Sequence, residues 1–387
     1  MFNEIKELDS TYVMHSYGRM NIALESGQGV YATDVDGKEY LDFTSGIGVN
    51  CLGYSNPKWV KAVSEQAGKI QHMSNYYISP VATELAEKLS KASGMSRMFF
   101  ANSGCEANEC AIKVARKAKK GTGAYKIITL ENSFHGRTIT TLAANGQDVF
   151  HQDFLPLTDG FMHCEAGNIN ALESMIDDTI AAVMIECVQG EGGVMPMGTD
   201  YLKAVRELCN SKDILMVVDE VQTGVGRTGN LFAYQKAEIL PDILTIAKGI
   251  GGGLPIGICL VNDKNKDVLV SGDHGSTFGA NPVSCAGALA VLEEINNEEF
   301  LSEVVKKGAY YKEKLEAMDG VEFVRGEGLM IGVMLKDKTA KELLIGCADK
   351  GLLILTAKDL VRFLPPLNIT YEEIDKGLEI FEKVLKA

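Results

Sequence analysis

The chain has 387 residues, of which 46% are hydrophobic and 23% charged. This balance excludes a disordered polymer and leaves ample apolar material for a large core. A formal net charge of −14 speaks against a general nucleic-acid binder, although not against a local basic pocket for an anion. Glycine is the outlier, with 40 residues, about 10% against an average of roughly 7%. With only nine prolines, that excess points to tight turns and close backbone approaches rather than to linkers.

The N-terminus MFNEIKELDS lacks the basic start and apolar stretch of a secretory leader. A strand–turn–strand signal follows at Val30–Val35, Asp36-Gly37 and Lys38–Asp42. From there a pattern recurs: a short, wholly apolar run ends on polar or glycine-rich residues, and helical periodicity follows. Met98–Ala101 leads into Asn102-Ser103-Gly104-Cys105, and Ile127–Leu130 into a segment ending Phe134-His135-Gly136-Arg137. Ala181–Ile185 ends at Glu186, Ile214–Val218 at Asp219-Glu220, and Ile243–Ala247 at Lys248-Gly249. Runs that are apolar without alternation predict strands buried on both faces, with helical crossovers between them. The fold class expected is therefore α/β, a mostly parallel central sheet with helices on both faces. Ligands bind such sheets at the carboxyl ends of the strands, where these polar residues fall.

Glu106–Lys120 reads as a helix whose apolar face is made of small residues (Ala107, Cys110, Ala111, Val114, Ala115, Ala118). After about residue 290 the texture changes. A charged amphipathic helix is expected over Glu298–Met318, strands over Val321–Val324 and Gly332–Leu335, and helices over Ala340–Lys350 and Tyr371–Lys386. The expected organisation is a segment 1–60 that joins the small domain, a large domain over 61–290, and a small α+β domain over 291–387. The nine scattered cysteines form no C-x-x-C pair, which predicts reduced, buried thiols in a cytoplasmic protein and no metal site. No apolar run is long enough to span a bilayer.

Each candidate residue carries a plain reading beside a chemical one. Gly104 and Cys105 open a helix after a strand, which is either an ordinary turn or a phosphate cradle of backbone N–H groups. Glu106, in the first turn, works against an anion there. Asp219 either caps a turn or holds a cationic ligand group. Lys248 is either a paired charge or, when desolvated, a Schiff-base lysine. Phe134 is either a core aromatic or a face for a flat ring, and Arg137 either a surface charge or a grip for a carboxylate. Neither a Walker loop nor a Rossmann fingerprint is present.

Taken together and in order, these residues resemble the class III, fold-type I, pyridoxal-phosphate-dependent aminotransferases. The strings that carry the resemblance are VYATDVDGKEYLDFTSGIGV (30–49), SGCEANE (103–109), SFHGRT (133–138), VQGEGGV (188–194), VVDEVQTGVGRTG (217–229), AKGIGGGLPIG (247–257), GSTFGANPVSCA (275–286) and VRFLPPL (361–367). They cover nearly the whole chain. SYGR (16–19) and GIGVN (46–50) are similar to the acetylornithine branch. The ornithine, succinylornithine and 4-aminobutyrate branches share the cofactor strings and remain open.

The resemblance implies the cofactor pyridoxal 5′-phosphate, a homodimer with shared active sites, and a role in arginine biosynthesis. The substrates implied are acetylornithine and 2-oxoglutarate. Lys248 would form the Schiff base and shuttle the proton, and Asp219 would pair with the pyridine nitrogen. Gln222 would reach the phenolic oxygen and Phe134 would stack on the ring. Gly104 and Cys105 would hold the phosphate, with Thr277 contributed by the second subunit and Glu220 and Val221 beside it. Arg137 would bind the acetylornithine carboxylate with Ser276 nearby. Arg362 would take the α-carboxylate of glutamate, and Glu191 would pair with Arg362 when the ω-amino substrate is bound. Three positions depart from the family's strings: Cys105 stands for Thr or Ala, Cys187 for Pro, and Tyr54 for His. Two other readings stay beside this one, an aminomutase that needs no acceptor and a cofactor-free binding protein.

Overall fold

The computed structural model describes residues 1–387. Its centre is a seven-stranded sheet formed by β1 (Arg97–Ala101), β2 (Lys126–Leu130), β3 (Phe161–Cys164), β4 (Ile180–Glu186), β5 (Leu215–Asp219), β6 (Ile243–Ile246) and β7 (Gly257–Val261). In space they run β1-β7-β6-β5-β4-β2-β3. Neighbours pair in parallel from β6 through β5, β4 and β2 to β3, whereas β7 is antiparallel to both β6 and β1. The mostly parallel expectation holds, with one reversed strand that the sequence pattern did not distinguish. Every residue of β4, β5, β6 and β7 is buried, as unalternating apolar runs require.

The two faces of the sheet have different partners. On one, Cys110, Ala111, Val114 and Ala115 of the helix Gly104–Ala118 pack on Ile127, Ala182, Met184, Leu215, Val217 and Ile243. Small side chains let this helix lie close to the sheet. The other face, with Ile128, Val183, Ile185, Met216, Val218 and Leu244, belongs to the main core of 65 residues. That core takes in the helix Pro282–Ile295, which is buried over most of its surface.

Two four-stranded sheets and a two-stranded ladder of Val188–Gln189 with Met195–Pro196 stand beside the central sheet. Leu24–Gln28, Tyr31–Asp34 and Glu39–Asp42 form an antiparallel ladder, joined in parallel by Leu352–Leu353. Val321–Glu327, Met330–Leu335, Leu360–Phe363 and Leu355–Ala357 form an antiparallel sheet in that order. The helix Tyr371–Lys386 starts where expected, because Thr370 and Glu373 cap it reciprocally. All nine cysteines are free, and only Cys105 is partly exposed. No helix is long and apolar enough to cross a membrane.

Candidate functional site

Strand register builds the floor of the site. Asp219 pairs laterally with Glu186 on one side and Thr245 on the other. The carboxyl-terminal ends of three neighbouring strands thus meet at one place. A cavity of about 330 Å³ opens there, lined by Ser103, Gly104, Cys105, Phe134, Asp219, Val221, Gln222 and Lys248 among others. It lies at the carboxyl ends of the parallel strands.

The helix beside it begins at Gly104, two residues before the expected start at Glu106. Ser103 is the cap, and its side chain accepts from Glu106 N–H at 3.2 Å. Gly104 and Cys105 therefore sit in the first turn, where N–H groups have no partner within the helix. The Glu106 carboxylate turns back onto the backbone and side-chain amides of Asn102. Gly104 has a steric reason as well: a Cβ there would stand 2.7 Å from Val221 Cγ1.

Asp219 is 3% exposed. Its Oδ2 accepts from Asn108 Nδ2 at 2.8 Å and from His135 Nδ1 at 2.8 Å, and its Oδ1 from Val221 N–H at 3.0 Å. Asn108 also donates to His135 O and accepts from Thr245 Oγ1. Burial opposes charge on His135, but the Asp219 hydrogen bond and charge prevail and hold its pKa above the ordinary value. Lys248 follows β6 in a left-handed conformation at φ 48°. Burial lowers its ammonium pKa, while the charge of Glu191 works the other way.

The second anion-binding candidate lies one hydrogen bond from the cavity, through Gln222. Arg362, on the strand Leu360–Phe363, is 2% exposed. It donates to Glu191 Oε1 at 2.6 Å, to Glu191 Oε2 at 3.3 Å and to Gln222 Oε1 at 3.0 Å. Gln222 in turn donates to Glu191 at 3.3 Å. Burial works to raise the Glu191 carboxyl, but the charge and hydrogen bonds of Arg362 win and keep its pKa low.

Arg137 is exposed. Its guanidinium lies 4.3 Å from the Phe150 ring centroid and 5.4 Å from that of Phe134, and its backbone N–H donates to Cys105 Sγ.

Three expected residues lie elsewhere. Glu220 turns away from the cavity into the core, accepting from Tyr234 N–H at 2.9 Å and Thr223 Oγ1 at 2.8 Å. Ser276 is one hydrogen bond removed, through Asn102 Nδ2 at 3.0 Å. Thr277 is exposed and lines a separate hollow with His72, Asn75 and Tyr76. Of the departures, Tyr54 donates to Asp42 Oδ2 at 2.7 Å, and buried Cys187 is 3.9 Å from Glu220 Oε1. Without a proline at 187, the turn carrying Glu191 is closed by the pairing of Val188-Gln189 with Met195-Pro196.

Asn108, His135 and Glu186 belong to the site, yet motif reading assigned them no role. A signal did exist for Asn108, the one amide on a helix face otherwise made of small residues.

The comparisons agree with one another. The family model described as Aminotransferase class-III matches residues 12–385. An acetylornithine aminotransferase of Haemophilus ducreyi is 50% identical, the match covering 99% of this chain and 98% of that protein. The ornithine aminotransferase structure from Toxoplasma gondii superposes with a TM-score of 0.95 at 31% identity, covering 100% of this chain and 95% of that one. The acetylornithine aminotransferase structure from Elizabethkingia anophelis gives 0.88 at 34% identity, covering 100% and 99%.

Proposed function

The chain belongs to the class-III aminotransferases, and on that premise we propose that it moves the δ-amino group of N2-acetyl-L-ornithine to 2-oxoglutarate. The products are N-acetyl-L-glutamate 5-semialdehyde and L-glutamate, and the setting is arginine biosynthesis in the cytoplasm. The observation that carries the substrate reading is the Glu191–Arg362 pair, a buried arginine doubly hydrogen-bonded to a partly exposed carboxylate and joined to the cavity through Gln222.

The donor set fits pyridoxal 5′-phosphate. The first-turn amides of Gly104 and Cys105 suit its phosphate, and the fixed Asp219 carboxylate suits its pyridine nitrogen. Gln222 would reach the phenolic oxygen, while Phe134 and Val221 would wall the ring. When bound, the cofactor supplies the electron sink for amino-group transfer. Lys248 Nζ anchors it and carries the proton at the substrate carbon. Its lowered pKa leaves more of the amine in the neutral form that can accept a proton. Asn108 and His135 orient Asp219 so that its carboxylate is aimed without rearrangement.

Arg137 takes the acetylornithine carboxylate. Glu191 stays on Arg362 while that donor reacts, then yields Arg362 to the α-carboxylate of glutamate or 2-oxoglutarate. Leaving Arg362 buried without any carboxylate would be costly, and this alternation avoids it.

The second subunit is part of the proposal. Asn75 Nδ2 donates to the carbonyls of Ser276 and Gly279, so the segment before Tyr76 docks beside Thr277. Tyr76, Tyr77, Ile78 and Phe278 are 96, 70, 86 and 63% exposed. A second copy covering these apolar groups would bring Thr277 to its phosphate site.

The test is a panel of single half-reactions. The loaded enzyme is mixed separately with acetylornithine, succinylornithine, ornithine, 4-aminobutyrate and glutamate, and its visible absorption is followed. Acetylornithine and glutamate are expected to react fastest, and glutamate formation should require 2-oxoglutarate. Turnover without an acceptor, or preference for another amine, overturns the assignment.

A further inference from the structure

Resting on the reading above, we propose that Glu186 is a positioning residue whose single carboxylate ties the aromatic wall at Phe134 to the loop that carries Glu191. Its Oε2 accepts from Phe134 N–H at 3.1 Å and its Oε1 from Gly190 N–H at 3.3 Å. The side chain is 5% exposed and lines the cavity. The two loops leave different strands, 131–137 following β2 and 187–194 following β4. At the outer end Gln189 Nε2 joins them through Glu131 O at 2.8 Å. At the cavity end Glu186 is the joint.

The location is an expensive one for a carboxylate. Glu186 lies beside Asp219 in the sheet register, and burial pushes its pKa to about 7. A Gln would avoid that cost, but its amide group would set a donor against one of the two N–H groups. Only an acid with two bare acceptor oxygens meets both amides. Gly190 is one residue from Glu191, and a Cβ at Gly190 would collide with the Gln222 side chain. The carboxylate therefore sets how close this loop comes to Gln222 and Arg362. Loosening it should free Arg362 and favour donors that carry a carboxylate on the reacting carbon.

Two measurements test this on Glu186→Ala and Glu186→Gln. The first is hydrogen exchange of the cofactor-free chain. Segments 132–138 and 188–194 should exchange about tenfold faster together in Glu186→Ala, while 215–219 is unchanged. The second is the holoenzyme's kcat/KM for glutamate relative to acetylornithine, which should rise in both variants. In Glu186→Ala, faster exchange in one loop alone or a uniform rise through the chain, and in either variant an unchanged ratio, would overturn the proposal. If Glu186→Ala does not fold, Glu186→Gln should still show the ratio shift with faster exchange in at least one loop; neither change in it is equally fatal. A wild-type enzyme inert toward acetylornithine, with the paired exchange signature intact, would refute the substrate reading and leave the loop tie standing.

Discussion

Glu191→Ala puts the proposed switch under direct load. In the folded chain the Arg362 side chain is 3% exposed and that of Glu191 29%. Removing one partner of a fully buried pair costs about 3–5 kcal/mol. Here the cost is reduced, because Gln222 Oε1 stays on Arg362 at 3.0 Å and the exposed side of Glu191 admits water. We therefore expect a loss of about 2–3 kcal/mol, a melting point lower by roughly 2–4 °C for a chain of this size. The assay is thermal unfolding of the cofactor-free protein, with and without 2-oxoglutarate or succinate. A dicarboxylate should replace the missing partner, and at 100 times its dissociation constant it returns about 2.7 kcal/mol. Glu191→Ala should thus gain more from dicarboxylate than wild type does. The double variant with Arg362→Met should recover much of the loss, since no unpaired cation remains. A melting point within about 1 °C of wild type, with no extra response to dicarboxylate, would refute the argument that Arg362 depends on a carboxylate partner.

Lys248→Ala should keep the fold and lose turnover by at least about a thousandfold, as expected for a proton carrier that is also the covalent anchor; near-normal turnover ends the mechanism. Gly104→Ala gains helix propensity of about 1 kcal/mol yet forces a Cβ to 2.7 Å from Val221 Cγ1. Its affinity for pyridoxal 5′-phosphate, read by absorbance titration, should fall and be restored by adding Val221→Ala; an unaffected affinity refutes the steric reason for glycine. Glu220 is buried, and its folded pKa is raised by burial to about 7. Its contribution to stability is therefore fully present below the unfolded value near 4.5 and declines as pH rises through 7, by up to about 3 kcal/mol. Glu220→Gln should flatten the fall in melting point between pH 5 and about 8; parallel curves for the two proteins would contradict this.

What the sequence showed follows from how local each signal is. The helix Tyr371–Lys386 was readable to the residue because its capping box and its amphipathic face both lie within it. The strands β4 to β6 were readable because two-sided burial leaves an unbroken apolar run. The helix Pro282–Ile295 escaped for the opposite reason: buried on nearly every side, it has no polar face to reveal a period. The start of Gly104–Ala118 was misplaced because apolar periodicity begins at Ala107, whereas the Ser103 cap brings Gly104 and Cys105 into the first turn. Asp219 and Lys248 were visible as polar residues at strand ends, and Arg362 through one of the family strings. His135, Asn108 and Glu186 stand in or beside those strings but act by contacts 27 to 111 positions away. No spacing rule reports such contacts; only the lateral register of β4, β5 and β6 does.

The same register bears on how an acidic chain handles anions. Its net charge of −14 opposes 2-oxoglutarate, but at physiological salt that bulk field is screened over about 8 Å, so local groups decide. The two arginines are held in physically different ways. Arg137 rests against Phe150 and Phe134, and aromatic faces attract a cation without occupying its N–H donors. Its fork stays open for a carboxylate. Arg362 has both terminal nitrogens committed to Glu191 and Gln222, so an incoming carboxylate that takes the fork must displace a partner already in place. Under the proposed function, one site is therefore open to either substrate and the other is conditional. A single cavity can then accept a donor that lacks an α-amino acid carboxylate at its reacting end, and an acceptor that has one, without rebuilding its floor.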